Sequence, residues 1–167
     1  MRLFIAILPD KNVRDSLRGV QNELRRRGVE GSFTKGDNLH LTLAFIGEYP
    51  DPEAVLEAME SVRFEPFELR LGGLGSFGDT WWAGLEASAE LDALVRRLHR
   101  ALAEKGIPYD RKTFRAHVTL VRKPSFRRDP RLETLAVPEA KMTAERISLM
   151  LSTRGKTGMI YTEIGSA

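Results

Sequence analysis

One four-residue pattern occurs twice in this chain: His40-Leu41-Thr42-Leu43 and, 77 residues later, His117-Val118-Thr119-Leu120. The chain has only three histidines, and average composition places a threonine two residues after a given one roughly once in twenty times. Two in three is not chance composition. Both copies lie in alternating stretches. Leu39, Leu41 and Leu43 take one face of a predicted strand while His40 and Thr42 share the other, and Ala116, Val118 and Leu120 flank His117 and Thr119 in the same way. The fold must therefore supply two half-buried strands, each with a polar face turned to a cleft or to water.

The offset extends beyond the pattern itself. Ala6 precedes His40 by 34 residues and Ala83 precedes His117 by 34, and both alanines sit in short apolar runs, Leu3 to Leu8 and Trp81 to Leu85. A helical stripe follows each run. Val13, Leu17, Val20 and Leu24 stand behind a capping Asp10 and end at Gly28; Leu91, Leu94, Leu98 and Leu102 end at Gly106. After the first motif, Asp51-Pro52 opens a helix through Val55, Leu56, Met59 and Val62, followed by the alternating strand Phe67, Leu69, Leu71. After the second, Asp129-Pro130 opens a shorter helical segment near Leu132 and Leu135, then a strand through Ile147, Leu149 and Leu151. Gly158 to Ile164 reads as a final strand. The tract Gly72-Gly73-Leu74-Gly75 lacks the lysine and spacing of a P-loop and reads as a turn or crossover between halves.

These elements predict an α+β fold: two lobes with pseudo-two-fold symmetry, each a small, mainly antiparallel sheet backed by helices, with the site in the cleft between them. The chain reads as one domain over 1–167, made of two duplicated halves, approximately 1–77 and 78–167.

Composition narrows the chemistry. There is no cysteine, so disulfides and thiolate metal sites are excluded, and three scattered histidines do not have the spacing of a zinc cluster. The apolar run Leu3 to Leu8, stopped by Pro9-Asp10-Lys11, is too short for a signal-peptide core or a membrane span. A cytoplasmic, monomeric protein without membrane contact or cofactor is the expectation. The formal charge is +3, and basic residues crowd the second motif: Arg111, Lys112, Arg115, Arg122, Lys123, Arg127 and Arg128. That crowding points to a phosphate-bearing partner.

A histidine and the threonine two residues on lie about 6.5 to 7 Å apart along a strand, so both can touch one phosphate-sized group. Two such strands make a four-point clamp. An imidazole titrates near neutrality, so one copy can take a proton from water while the other protonates a departing oxygen, and the hydroxyls can donate to phosphate oxygens. His99, within Arg96-Arg97-Leu98-His99-Arg100, lacks the threonine and is assigned to a solvated helix face. Trp81 and Trp82 point to opposite faces, one to the core and one nearer the cleft.

At these residues the chain resembles the 2H phosphoesterase superfamily, and within it the RNA 2′,3′-cyclic phosphodiesterase family, also called 2′-5′ RNA ligase-like. The resemblance covers Arg2 to Ala6, Asn38 to Leu43 with Phe45 to Glu48, Gly75-Ser76-Phe77 with Trp82-Ala83-Gly84, Phe114 to Leu120 with Arg122, and Ser152, Gly158 and Tyr161. Ala116 stands where the family has proline, and Phe33 stands nearest to its usual tryptophan. The resemblance implies metal-independent hydrolysis of RNA or nucleotide 2′,3′-cyclic phosphate ends to 2′-phosphates. In that carry-over His40 is the proton donor and His117 the proton acceptor, although the sequence itself is symmetric between them. Thr42 and Thr119 hold the phosphate; Arg122, matched by the family, and Arg115, on the same strand face as His117, are the candidates for RNA phosphate contacts. Phe4 either offers a ring to a terminal base or is a core residue of its strand. Arg122 has the wrong strand parity for the motif face and needs a bulge to reach it. Other readings of the same cleft are a non-catalytic RNA- or nucleotide-binding module, a 2′-5′ RNA ligase, and a phosphodiesterase for a cyclic phosphate on ADP-ribose.

Overall fold

A computed structural model describes residues 1–167. Nine strands and three helices alternate along it: β1 (Arg2–Ile7), α1 (Lys11–Arg26), β2 (Glu30–Phe33), β3 (Leu41–Glu48), α2 (Pro52–Glu60), β4 (Phe67–Phe77), β5 (Thr80–Leu85), α3 (Ala89–Glu104), β6 (His117–Ser125), β7 (Lys141–Ala144), β8 (Ser148–Gly155) and β9 (Gly158–Ser166). Short 3₁₀ turns cover Gly36–Asn38 and Leu132–Thr134. The second replaces the helix expected near Leu132 and Leu135.

The strands form two antiparallel sheets, ordered β3-β1-β8-β9 and β2-β6-β5-β4-β7. The triplet β3-β1-β8 of the first sheet recurs as β6-β5-β4 in the second. The lobes are nevertheless not the sequence halves, because each sheet takes strands from both. β4 crosses to pair with β5, β8 returns to pair with β1, α1 packs against β6 and β7, and α3 packs against β3. Helices therefore do not divide two to a sheet: α2 and α3 cover the first and α1 the second.

The helix stripes form as their spacing predicts. Asp10 Oδ1 accepts from the Val13 backbone N–H at 2.9 Å, an N-cap, and Val13, Leu17, Val20 and Leu24 are buried. Burial of each such side chain contributes about 1.5 to 3 kcal/mol. Ser88 caps α3, and Leu91, Leu94, Leu98 and Leu102 point inward. One buried cluster runs through both sheets, from Leu3 and Ile5 to Val118 and Leu120. The two lobes thus share a core.

The glycine tract is neither turn nor crossover. It is the middle of β4, and the reversal comes at Gly78-Asp79, where Gly78 has the positive φ of 54° that a two-residue hairpin turn needs. The physical reason lies across the strand pair: a β-carbon at Gly75 would overlap the indole ring of Trp82. Gly75 admits a large ring flat against the backbone.

Two bulges set which way the strand faces beyond each motif. On β6, Trp82 pairs with Thr119 but Trp81 pairs with Val121, leaving Leu120 as an extra residue. On β3, Ala6 pairs with Thr42 but Ile5 pairs with Ala44, leaving Leu43 extra. Leu43 and Ala44, like Leu120 and Val121, are therefore buried in succession. The next residues, Phe45 and Arg122, return to the motif face.

Each bulge is held from a helix. Gln21 on α1, itself buried, donates from Nε2 to the carbonyl of Leu120 at 3.0 Å and to that of Thr34 at 2.7 Å. His99 on α3 donates from Nε2 to the carbonyl of Leu43 at 2.9 Å, and its ring stacks on Tyr109 at 4.5 Å. His99 is thus a structural residue packed between elements, not the solvated one expected. Its place on the helix stripe hid that, because the bond it makes is to a bulge that periodicity does not reveal.

Candidate active site

His40 leaves the 3₁₀ turn just before β3, and this local geometry fixes its chemistry. Its Nδ1 lies 2.6 Å from the carbonyl oxygen of Asn38. A carbonyl can only accept, so Nδ1 carries a proton and Nε2 is left for chemistry. Asn38 is itself anchored: its side-chain amide donates to the Met159 carbonyl at 2.9 Å. The His40 ring rests on Phe4 (centroids 4.8 Å apart) and meets the edge of Tyr161 (5.2 Å), and those two rings meet each other at 5.1 Å.

His117 opens β6 in the same way. Its Nδ1 lies 2.6 Å from the carbonyl of Arg115, and its ring meets Phe77 at 5.1 Å and Trp82 at 5.8 Å. Both imidazoles thus hold one tautomer, each between two aromatic rings. The indole Nε1 of Trp82 is buried without a partner, consistent with a ring placed for its faces and not for its donor.

Burial holds the pKa of His40 below the ordinary histidine value; the Asn38 carbonyl opposes this, and the positive charges of Arg122 and His117 add to the lowering. His40, Thr42, Thr119 and Arg122 line one cleft of about 920 Å³ between the sheets. His117 stands two residues before Thr119 on β6, at the border of the cleft and not within its lining. No group of three or more His, Cys, Asp or Glu is placed to hold a metal ion.

The other expected site residues divide. Arg122 reaches the cleft because of the β6 bulge. Arg115 precedes the strand, is exposed, and lays its guanidinium over Phe77 at 5.7 Å outside the cleft lining. Of the basic run from Arg111 to Arg128, only Arg122 lines the cleft: Arg111, Lys112 and Arg115 precede β6, Arg127 and Arg128 follow it, and Lys123, with a positive φ of 51°, is the next residue along the strand. Phe4 also borders the cleft but is only 3% exposed, packed with Ala6 and Met150 beneath His40, so it serves chiefly as the seat of that ring.

Phe45 is the cleft residue that alternation misses. It is 37% exposed, lines the cleft, and has the Arg2 guanidinium 5.2 Å from its ring centre. Its parity in β3 is wrong for the motif face until the bulge is known. The 77-residue offset from Arg122 was the available signal.

Comparison with known proteins decides the family. A family model described as the 2′-5′ RNA ligase superfamily matches residues 13–156. This chain belongs to that superfamily. Within it the chain falls in the RNA 2′,3′-cyclic phosphodiesterase family: a protein of that name from Archaeoglobus fulgidus is 32% identical over 73% of this chain and 72% of its own length. Another of that name from Thermus thermophilus is 33% identical over 97% of this chain and 87% of its own. The fold agrees over the whole length. The crystal structure of a Thermus thermophilus protein superposes with a TM-score of 0.78 at 30% identity, covering 99% of this chain and 96% of that one. Like that relative, this member of the RNA 2′,3′-cyclic phosphodiesterase family is a bilobal α+β protein with two helix-flanked antiparallel sheets. No helix in it is long and apolar enough to cross a membrane.

Proposed function

We propose that this protein hydrolyses 2′,3′-cyclic phosphate ends of RNA to 2′-phosphates, without a metal, by general acid–base catalysis between His40 and His117. The observation that carries this reading is the matched pair of imidazoles, each with Nδ1 committed to a backbone carbonyl and Nε2 free. Relatives named RNA 2′,3′-cyclic phosphodiesterase support the substrate class.

In the reaction, Nε2 of His117 takes a proton from water as its oxygen bonds to phosphorus. The bond from phosphorus to the 3′ oxygen breaks, and His40 gives that oxygen its Nε2 proton. Thr42, Thr119 and the Arg122 guanidinium stabilise charge on the non-bridging oxygens. In the free protein burial favours neutral His40; a bound phosphate anion favours the imidazolium and so supplies the acid when substrate is present. Phe45, with its exposed ring, takes over the base-stacking role expected of Phe4.

The preference of His40 for its neutral form also favours a second reading with the roles exchanged. A substrate with sulfur in place of the 3′ oxygen separates the two, because that leaving group needs no proton. It restores the rate of His40→Ala if His40 is the acid, and that of His117→Ala if the roles are reversed. The class of reaction is tested by incubating RNA bearing a 2′,3′-cyclic end with the protein and EDTA and locating the phosphate. A 2′-phosphate is expected. Loss of activity in EDTA, or activity surviving alanine at both histidines, overturns the proposal.

A further inference from the structure

The cleft runs on past the two His-Thr pairs, and its outer arm is charged in one sense. Its lining includes Arg2, Lys35 and Arg154 besides Arg122, and none of the four has a carboxylate within ion-pairing distance. The one carboxylate in the lining, Glu48, is paired with the α-amino group of Met1 at 3.2 Å. In a chain whose net charge is only +3, four uncompensated cations in a single cleft are a concentration of positive potential.

Arg2, Arg154 and Lys35 follow one another outward along the wall formed by β1, β8 and the β8–β9 turn. Tyr161, which touches His40, pairs with Ser152, and Ser152 pairs with Arg2. The next residue on the same face of β8 is Arg154, opposite Met159, one rung or about 6.5 to 7 Å beyond. Past it lies the turn of the β8–β9 hairpin, where Thr157 Oγ1 meets Nζ of Lys35 at 2.8 Å. This stride is of the order of one nucleotide in an extended strand. A cyclic mononucleotide has one phosphate, which Thr42, Thr119 and Arg122 already serve, and it leaves the outer cations unused. A polyphosphate would need cations converging on one point, whereas Arg2 and Arg154 stand on successive same-face steps of the sheet.

Resting on the phosphodiesterase reading above, we infer that the arm formed by Arg2, Arg154 and Lys35 binds the phosphodiester backbone of the nucleotides preceding the cyclic end. The site is then built for the 3′ end of a single-stranded oligonucleotide. The cations position the strand without reading its sequence.

The test compares kcat/KM for a 2′,3′-cyclic mononucleotide with that for oligonucleotides of two to six residues carrying the same end. The wild type is expected to prefer the oligonucleotide, with the advantage rising over the first few residues and then levelling. The double variant Lys35→Gln/Arg154→Gln is expected to lose that advantage by about tenfold or more, the scale of hydrogen bonds to charged groups. The salt dependence of kcat/KM for oligonucleotides should become shallower by about 0.7 per phosphate contact removed. Arg154→Lys keeps the charge and should keep most of the advantage, which separates loss of a contact from loss of fold. Equal kcat/KM for mononucleotide and oligonucleotide in the wild type, or an undiminished advantage in the double variant, overturns the inference. Turnover of neither substrate instead overturns the phosphodiesterase reading on which it rests.

Discussion

Nε2 of His99 donates to the carbonyl of Leu43 across 2.9 Å, and Leu43 is the extra residue of the bulge that turns Phe45 into the cleft. Gln21 does the same for Leu120 at 3.0 Å, ahead of Arg122. Two helices that follow equivalent strands thus clip equivalent bulges with different side chains.

Replacing either clip by leucine leaves a buried carbonyl short of a donor, a cost of about 1 to 3 kcal/mol. His99→Leu and Gln21→Leu are therefore expected to lower stability by that amount in urea unfolding. His99→Gln, which restores an amide donor of the type used at position 21, is expected to recover part of the loss. Equal stability of His99→Leu and wild type would show that the bond carries no net weight.

Asn38 holds His40 with its carbonyl and the β9 strand with its side chain. Asn38→Ala keeps the carbonyl but frees the turn that presents it. A misplacement of about 1 Å at a reacting group can cost about 100-fold, and we expect kcat to fall by up to that order with a shifted pH–rate profile. A change in KM alone, with the profile intact, would place Asn38 in substrate binding instead.

The pH dependence of stability is set by the burial of His40. Its pKa in the folded protein is lowered, burial being the main cause, so as pH falls below about 6.5 the unfolded chain takes up a proton there before the folded one does. Stability present above that pH is lost as pH falls toward the folded-state value, and the decline then levels off. Urea unfolding at pH 7.5 and 5.5 should show a smaller difference for His40→Gln than for wild type. Arg122→Gln removes a nearby positive charge, so NMR titration of His40 should move upward toward the ordinary value.

Gly75 faces the ring of Trp82, which in turn meets His117. Gly75→Ala is expected to cost about 1 to 3 kcal/mol by overpacking and to reduce kcat by displacing the imidazole's support. Gly73→Ala, where an added β-carbon meets nothing within 4 Å, is the matched control. Thermal unfolding and kcat of the two variants side by side provide the measurement.

Much of this site was legible because it is written in spacing. The alternation around His40 and His117, the helix stripes and the 77-residue offset report forces that act locally: side-chain parity, burial and capping. The hidden part depends on residues far apart. The bulges at Leu43 and Leu120 reverse parity, which concealed Phe45 and made Arg122 look misdirected. The glycine tract of β4 resembles a turn until the Trp82 ring opposite Gly75 is known, and the Phe4 ring is largely covered by Tyr161 and His40. Arg115 shares the parity of His117, but the strand does not begin until His117 itself.

The seat of His40 joins residue 4 to residue 161, and β1 cannot gain its second neighbour until β8 has been made. Contacts of such long separation form late, because closing the intervening loop costs entropy before any pairing offsets it. A chain emerging from the ribosome therefore carries both motifs well before it carries the wall that aligns the first of them. Stalled or truncated products retain every motif residue yet lack an assembled centre, so chemical competence arrives only with the completed fold.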